Sequence, residues 1–194
     1  KRQPTITTYY DTLKANIGSG AIQTLVRDAI VNFSKVHLEQ FGQKLRYSRF
    51  VRSIDNTNEA ILNNEAEFEI QKRFVPSTTT SSLIELQYHN ALQPSSISST
   101  AFTFNNFISR LDDDGLGNIR IFRFNEQKQK VFVNSTAGTV DYSTGKISIN
   151  NFIVSAFDGI EIKVNANPAN KDIVPVREQI LIISVSYTHL RAHE

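Results

Sequence analysis

The sequence predicts an α+β fold: an N-terminal α+β part with an amphipathic helix on a small sheet, then a mostly antiparallel β part. Three observations predict it. Apolar residues recur at helical spacing only near the start, at Ile22, Leu25, Val26, Ala29, Ile30, Phe33 and Val36. Residues 65–75 alternate, with Ala66, Phe68 and Ile70 on one side and Glu65, Glu67 and Glu69 on the other. From Leu83 onward, short β-branched and aromatic runs are punctuated by Asp, Asn, Gly and Pro. Periods of 3.6 and 2 distinguish a helix face from a strand face.

The elements follow in order. Residues 5–10 are β-branched and aromatic and read as a strand. Gly18-Ser19-Gly20 breaks the chain, and Ser19 is the expected N-cap of the helix. Leu45, Phe50, Val51 and Ile54 suggest a short second helix, ended by Asn56-Thr57-Asn58. Residues 59–64 read as a connector, and Pro76 closes the alternating strand. Further strands are expected at 83–89, 101–107, 118–125, 130–134, 138–142, 146–149, 160–166 and 179–183. The polar loop 77–82 is the expected boundary between an α+β domain over 1–76 and a β-rich domain over 83–184. No fixed-period repeat is present.

Composition narrows the function. The 194 residues are 40% hydrophobic, enough for a core, and Phe is abundant at 13. With 21 basic and 19 acidic residues the net charge is +2, so no large field draws nucleic acid or an anionic membrane. The absence of Cys excludes disulfides, zinc–thiolate sites and cysteine nucleophiles. No apolar stretch is long enough for a membrane span. Met is absent and residue 1 is Lys, which reads as a fragment of a longer chain.

The end, VSYTHLRAHE, breaks the pattern of the apolar run before it. It resembles one reading frame of a transposase-type sequencing adapter. Residues 185–194 are therefore expected to be an artefactual tail that packs poorly, with no metal held by His189 and His193 despite their spacing of four.

Chemistry-bearing motifs are few. Asp112-Asp113-Asp114-Gly115 suggests a calcium loop, but position twelve, counted from Asp112, is Arg123 rather than Glu. A solvated turn between two strands is the simpler reading. Gly115-Leu116-Gly117 lacks the third glycine of a dinucleotide fingerprint. Gly18-Ser19-Gly20 lacks a P-loop Lys, and no G-x-S-x-G elbow accompanies His37 or His89. No catalytic, metal or cofactor residue is assigned, and the chain is expected not to be an enzyme. Arg46, Arg49 and Arg52 recur every three residues beside Tyr47 and Phe50. That pattern has a nucleic-acid look. The flanking Glu39, Asp55 and Glu59 and the near-neutral chain favour a solvated or subunit-facing stripe instead.

Four segments carry a resemblance. Residues 45–56, LRYSRFVRSIDN, and 59–64, EAILNN, resemble a stretch of the baseplate wedge proteins of T-even-like contractile-tailed phages. So do 113–120, DDGLGNIR; 138–147, GTVDYSTGKI; and 167–181, NPANKDIVPVREQIL, in the same order. A remoter likeness is to J-like baseplate proteins. The resemblance implies a virion structural component, assembled in the host cytoplasm, that dimerises and joins other wedge subunits around the tail hub. It implies no catalytic residues and no cofactor. Arg46, Arg49 and Arg52 become the expected subunit interface. The alternative is a β-rich tail module that binds host glycan or peptidoglycan through exposed aromatics.

Overall fold

The computed structural model describes residues 3–39, 43–173 and 187–193. Its elements are β1 (Gln3–Asp11), α1 (Ser19–His37), α2 (Tyr47–Asp55), β2 (Ile61–Phe74), β3 (Ser82–Gln87), β4 (Ser98–Ser99), β5 (Phe102–Phe104) and β6 (Phe107–Asp113). There follow β7 (Asn118–Phe124), β8 (Lys130–Asp141), β9 (Lys146–Phe152), β10 (Ala156–Phe157), β11 (Ile162–Ala166) and β12 (Tyr187–His193). The described residues are thus mostly β with two helices. It divides into two compact units, Lys1–Glu69 with Asn170–Glu194, and Ile70–Ala169. The loop at 77–82 lies inside the second.

In the first unit, β1 pairs antiparallel with β2, with Ile6 opposite Ala66 and Thr5 opposite Glu67, and a register shift at Tyr9/Tyr10. The inward set is Ile6, Thr8, Asn64, Ala66 and Phe68, all buried. Glu65, Glu67 and Glu69 face outward and are exposed, the phase that the alternation predicts. β2 starts earlier than the Asn-rich sequence suggests. Asn64 is buried, accepts a hydrogen bond from Thr8 Oγ1, and donates through Nδ2 to Asp55 Oδ1 at 2.6 Å. Those partners satisfy its amide, so tertiary context overrides its low strand propensity.

Helix α1 buries Ile22, Val26, Ile30 and Phe33, while Leu25 and Val36 of the predicted stripe are exposed. The covered stripe is therefore narrower than seven residues. Gly18, not Ser19, is the N-cap, and no side chain caps the helix. α1 lies against α2 and β12. The last residues do not stand apart, as the sequence led us to expect. Residues 187–193 form β12, parallel to β1 from Thr5↔Tyr187 to Asp11↔His193. Open backbone donors and acceptors on an edge strand are satisfied by any strand that fits, whatever its sequence. The predicted strand at 179–183 lies outside the described residues.

The second unit is antiparallel, with strand order β2 (from Ile70)–β11–β4–β6–β7–β8–β9–β3. β5 pairs with β6 and β10. Its core includes Phe102, Leu111, Ile119, Ile147, Ile149, Phe152 and Ile162, all 2% exposed or less. Phe152 meets Phe74 and Phe102 edge-on at 5.7 and 5.3 Å between centroids. The single strand expected at 101–107 is instead the start of a hairpin. Asn105 and Asn106 take φ of 51° and 66°, which turns the chain back between β5 and β6.

That hairpin carries Asp112 and Asp113 into the sheet, so only Asp114–Gly117 forms the turn. Both carboxylates are buried, at 8% and 4% exposure, which corrects the solvated-turn expectation. Each is buried because it is paired. Asp112 accepts from Arg120 Nε at 3.0 Å and Nη2 at 2.8 Å, and from Lys130 Nζ. Asp113 accepts from the Ser95 and Ile97 N–H groups at 2.6 and 2.9 Å, and from the Tyr142 hydroxyl at 2.6 Å. Burial, and donation to that carboxylate, hold the Tyr142 phenol well above its ordinary pKa.

Candidate functional site

Helix α2 forms because Phe50 and Ile54, one turn apart, drop into the first unit's core, both at 0% exposure. Phe50 sits edge-on to Phe33 of α1 at 5.3 Å and to Phe68 of β2 at 5.2 Å. Tyr47 meets Phe68 edge-on at 6.4 Å, and its hydroxyl accepts the Ala66 N–H at 3.3 Å. Lys171 lies 4.5 Å over the Tyr47 ring. Leu45, buried just before the helix, exchanges both backbone hydrogen bonds with Ile173 at 3.0 Å.

Those contacts fix the direction of the predicted basic residues and divide them. Arg46 is exposed like the other two, but it is paired. Its Nη1 donates to Asp172 Oδ2 at 2.9 Å, and the same carboxylate accepts the Tyr47 N–H at 2.8 Å. Asp172 thus caps the start of α2 from far along the chain. The Tyr47 N–H, then Arg46, hold its pKa below the usual carboxylate value. Arg49 and Arg52 are exposed. Neither has a carboxylate partner among the described residues. Arg52 lies in the last turn, where the helix dipole favours a cation.

The other titratable residues do not converge. His37 is half-buried and tilted against Phe33 at 4.9 Å. His89 is exposed with φ of 54°. His189 is exposed on β12. Among the described residues, no group of three or more His, Asp or Glu is placed to hold a metal. Asp114 is half-buried turn chemistry: hydrogen bonds from the Asn118 side chain and N–H, and from the Leu116 N–H, lower its pKa to about 2. No helix among the described residues is long and apolar enough to cross a membrane.

Sequence reasoning missed one surface. Phe107, Phe124 and Phe132 are 46%, 54% and 45% exposed. The run K-Q-K-V-F-V, with no clean alternation, was the available signal.

No curated protein matches the chain. Residues 3–73 match the family model described as baseplate structural protein gp6, C-terminal domain III. That span holds β1, α1, α2 and β2, nearly all of the first unit's continuous segment. Of the four resembling segments, only residues 45–64 fall within it. The match lends no support to glycan binding. Over residues 3–73, and over that part alone, the chain is similar to a structural protein of the bacteriophage baseplate.

Proposed function

We propose that this protein is a structural part of the baseplate wedge, which links neighbouring wedges around the tail hub by self-association and by contact with other wedge subunits. One observation carries the reading: the matched segment includes α2, whose Arg49 and Arg52 are exposed, with no carboxylate partner among the described residues, while Phe50 and Ile54 anchor the helix. Exposed cations on a fixed helix, with no carboxylate partner among the described residues, suit a partner's acidic face. They set register and encounter rate more than affinity. Arg46, held by Asp172, positions the helix instead of reaching a neighbour.

Reversing both free cations tests this. R49E/R52E should fold normally, because both residues are exposed and neither pairs with a carboxylate among the described residues, yet lose self-association or incorporation into baseplates. R46A serves as the contrast, expected to loosen the start of α2 and lower thermal stability. A folded R49E/R52E protein that assembles as well as the parent sinks the proposed interface.

A further inference from the structure

Among the described residues, the second unit carries an uncovered sheet face. On β6, β7 and β8, Arg110, Phe122 and Phe132 stand in one cross-strand row, and Phe124 stands beside Lys130 in the next. Ile108, on the same side of β6 as Arg110, is 74% exposed. Isolated exposed apolar residues need no explanation, but Ile108, Phe124 and Phe132 share a face. Aromatic and Arg side chains at the centre of such a patch are the composition of binding hot spots.

The charges around it are lopsided. Asp112, the acid on this face, is already taken by Arg120 and Lys130. Arg110 and Lys128 have no carboxylate partner among the described residues, and Glu126 is the one acid in the β7–β8 turn. The occupant therefore brings carboxylates. Single-stranded nucleic acid fits poorly, because cations already cover the rings it would stack on. Lys130 lies 4.0 Å over Phe122, and Arg120 lies 4.4 Å over Phe132.

The chain itself presents the complementary face. Glu65, Glu67 and Glu69 stand exposed at alternate positions of β2, roughly 7 Å apart, given the rise of a strand. No cation pairs with them among the described residues. Partial desolvation, and then repulsion from Glu67, raise the Glu69 pKa, as expected of a row lacking counter-charge.

We propose that the Ile108–Phe124–Phe132 face, with Arg110, docks on the Glu65–Glu67–Glu69 face of a second copy, head to tail. Pairing either face with itself would set like charges together, which excludes a two-fold contact through one face. A heterologous contact propagates, closing into a ring or extending as a filament. This rests on reading the chain as an assembly protein, but it concerns a different surface from Arg49 and Arg52.

Sedimentation velocity on the full chain tests it, with circular dichroism confirming that each variant is folded. The parent should self-associate in a salt-sensitive manner. R110E/F124S and E65K/E67K/E69K should each weaken association by about tenfold or more. Mixed, these two variants retain one good face each, so they should recover with each other a one-to-one contact that neither makes with itself. A mixture that stays monomeric, or variants that associate like the parent, overturns the proposal. So does oligothymidylate binding that R110E/F124S abolishes while self-association persists. If R49E/R52E disrupts association while R110E/F124S and E65K/E67K/E69K leave it intact, the wedge reading stands and this contact falls.

Discussion

Gly145 offers a measurement in which two physical terms separate. It follows Asp141–Thr144 in the β8–β9 turn and takes φ of +70°, where an L side chain is strained. An added Cβ would also stand 2.3 Å from the Asn90 carbonyl oxygen and 3.1 Å from Tyr88 Cβ. The backbone there cannot yield cheaply. The Gly145 carbonyl accepts from the Tyr88 N–H at 2.9 Å, and its own N–H donates to Asp141 O at 2.8 Å. Gly159 provides the control: its φ is +73°, with nothing within 4 Å of an added Cβ. Gly159→Ala should cost about 1 kcal/mol, from backbone strain alone. Gly145→Ala should cost that plus roughly 1 kcal/mol for each hydrogen bond displaced, about 2–3 kcal/mol in all. Urea unfolding of both variants reads the difference, and the melting temperatures should differ by about 4 °C. Equal losses would mean that the approach of Asn90 to the turn carries no energy, and the clash reasoning would be wrong.

Three further outcomes follow from other parts of the molecule. Asp113→Ala strands two backbone N–H groups and the Tyr142 hydroxyl, and should cost about 2–4 kcal/mol in urea unfolding; a loss below about 1 kcal/mol would deny its role as a hub. Phe50→Ala removes the ring between Phe33 and Phe68 and should cost about 3–5 kcal/mol, with α2 losing amide protection first; unchanged exchange in α2 would refute this. Asp114 and Asp141 have folded pKa values lowered to about 2 by turn hydrogen bonds, so their contribution is present above the unfolded value near 4 and is lost as pH falls toward 2. D114N/D141N should flatten the acid limb of a stability–pH curve between about 4 and 2, and an identical limb would show that these turns are not linked to folding.

Much of the fold was legible because one face of an element was being read. The α1 spacing named Ile22, Val26, Ile30 and Phe33, the residues that are buried, and the 65–70 alternation placed the Glu row outside. What failed was local reasoning about polar residues. Asn105-Asn106 looked like part of a strand and is a turn; Asp112-Asp113 looked like a turn and is buried strand. In each case the deciding partners are other strands, which propensity does not contain. The exposed Phe residues failed for a related reason: an aromatic on a sheet reads as core unless the covering layer is known to be missing.

The candidate site shows the same limit more sharply. Arg46, Arg49 and Arg52 are equivalent by spacing, and nothing nearby in sequence separates them. The separation comes from Asp172, which lies 126 residues from Arg46 and binds both its guanidinium and the Tyr47 N–H. One carboxylate thus turns the first cation into a fastening of α2 and leaves the other two on its exposed side. Reversing Asp172 to Lys should therefore release the helix start and present Arg46 beside Arg49 and Arg52. If α2 is an interface, that change should weaken association through misplacement of the helix, even though it adds positive charge. Stronger association of a folded D172K protein would show instead that total charge, not the position of α2, governs the contact.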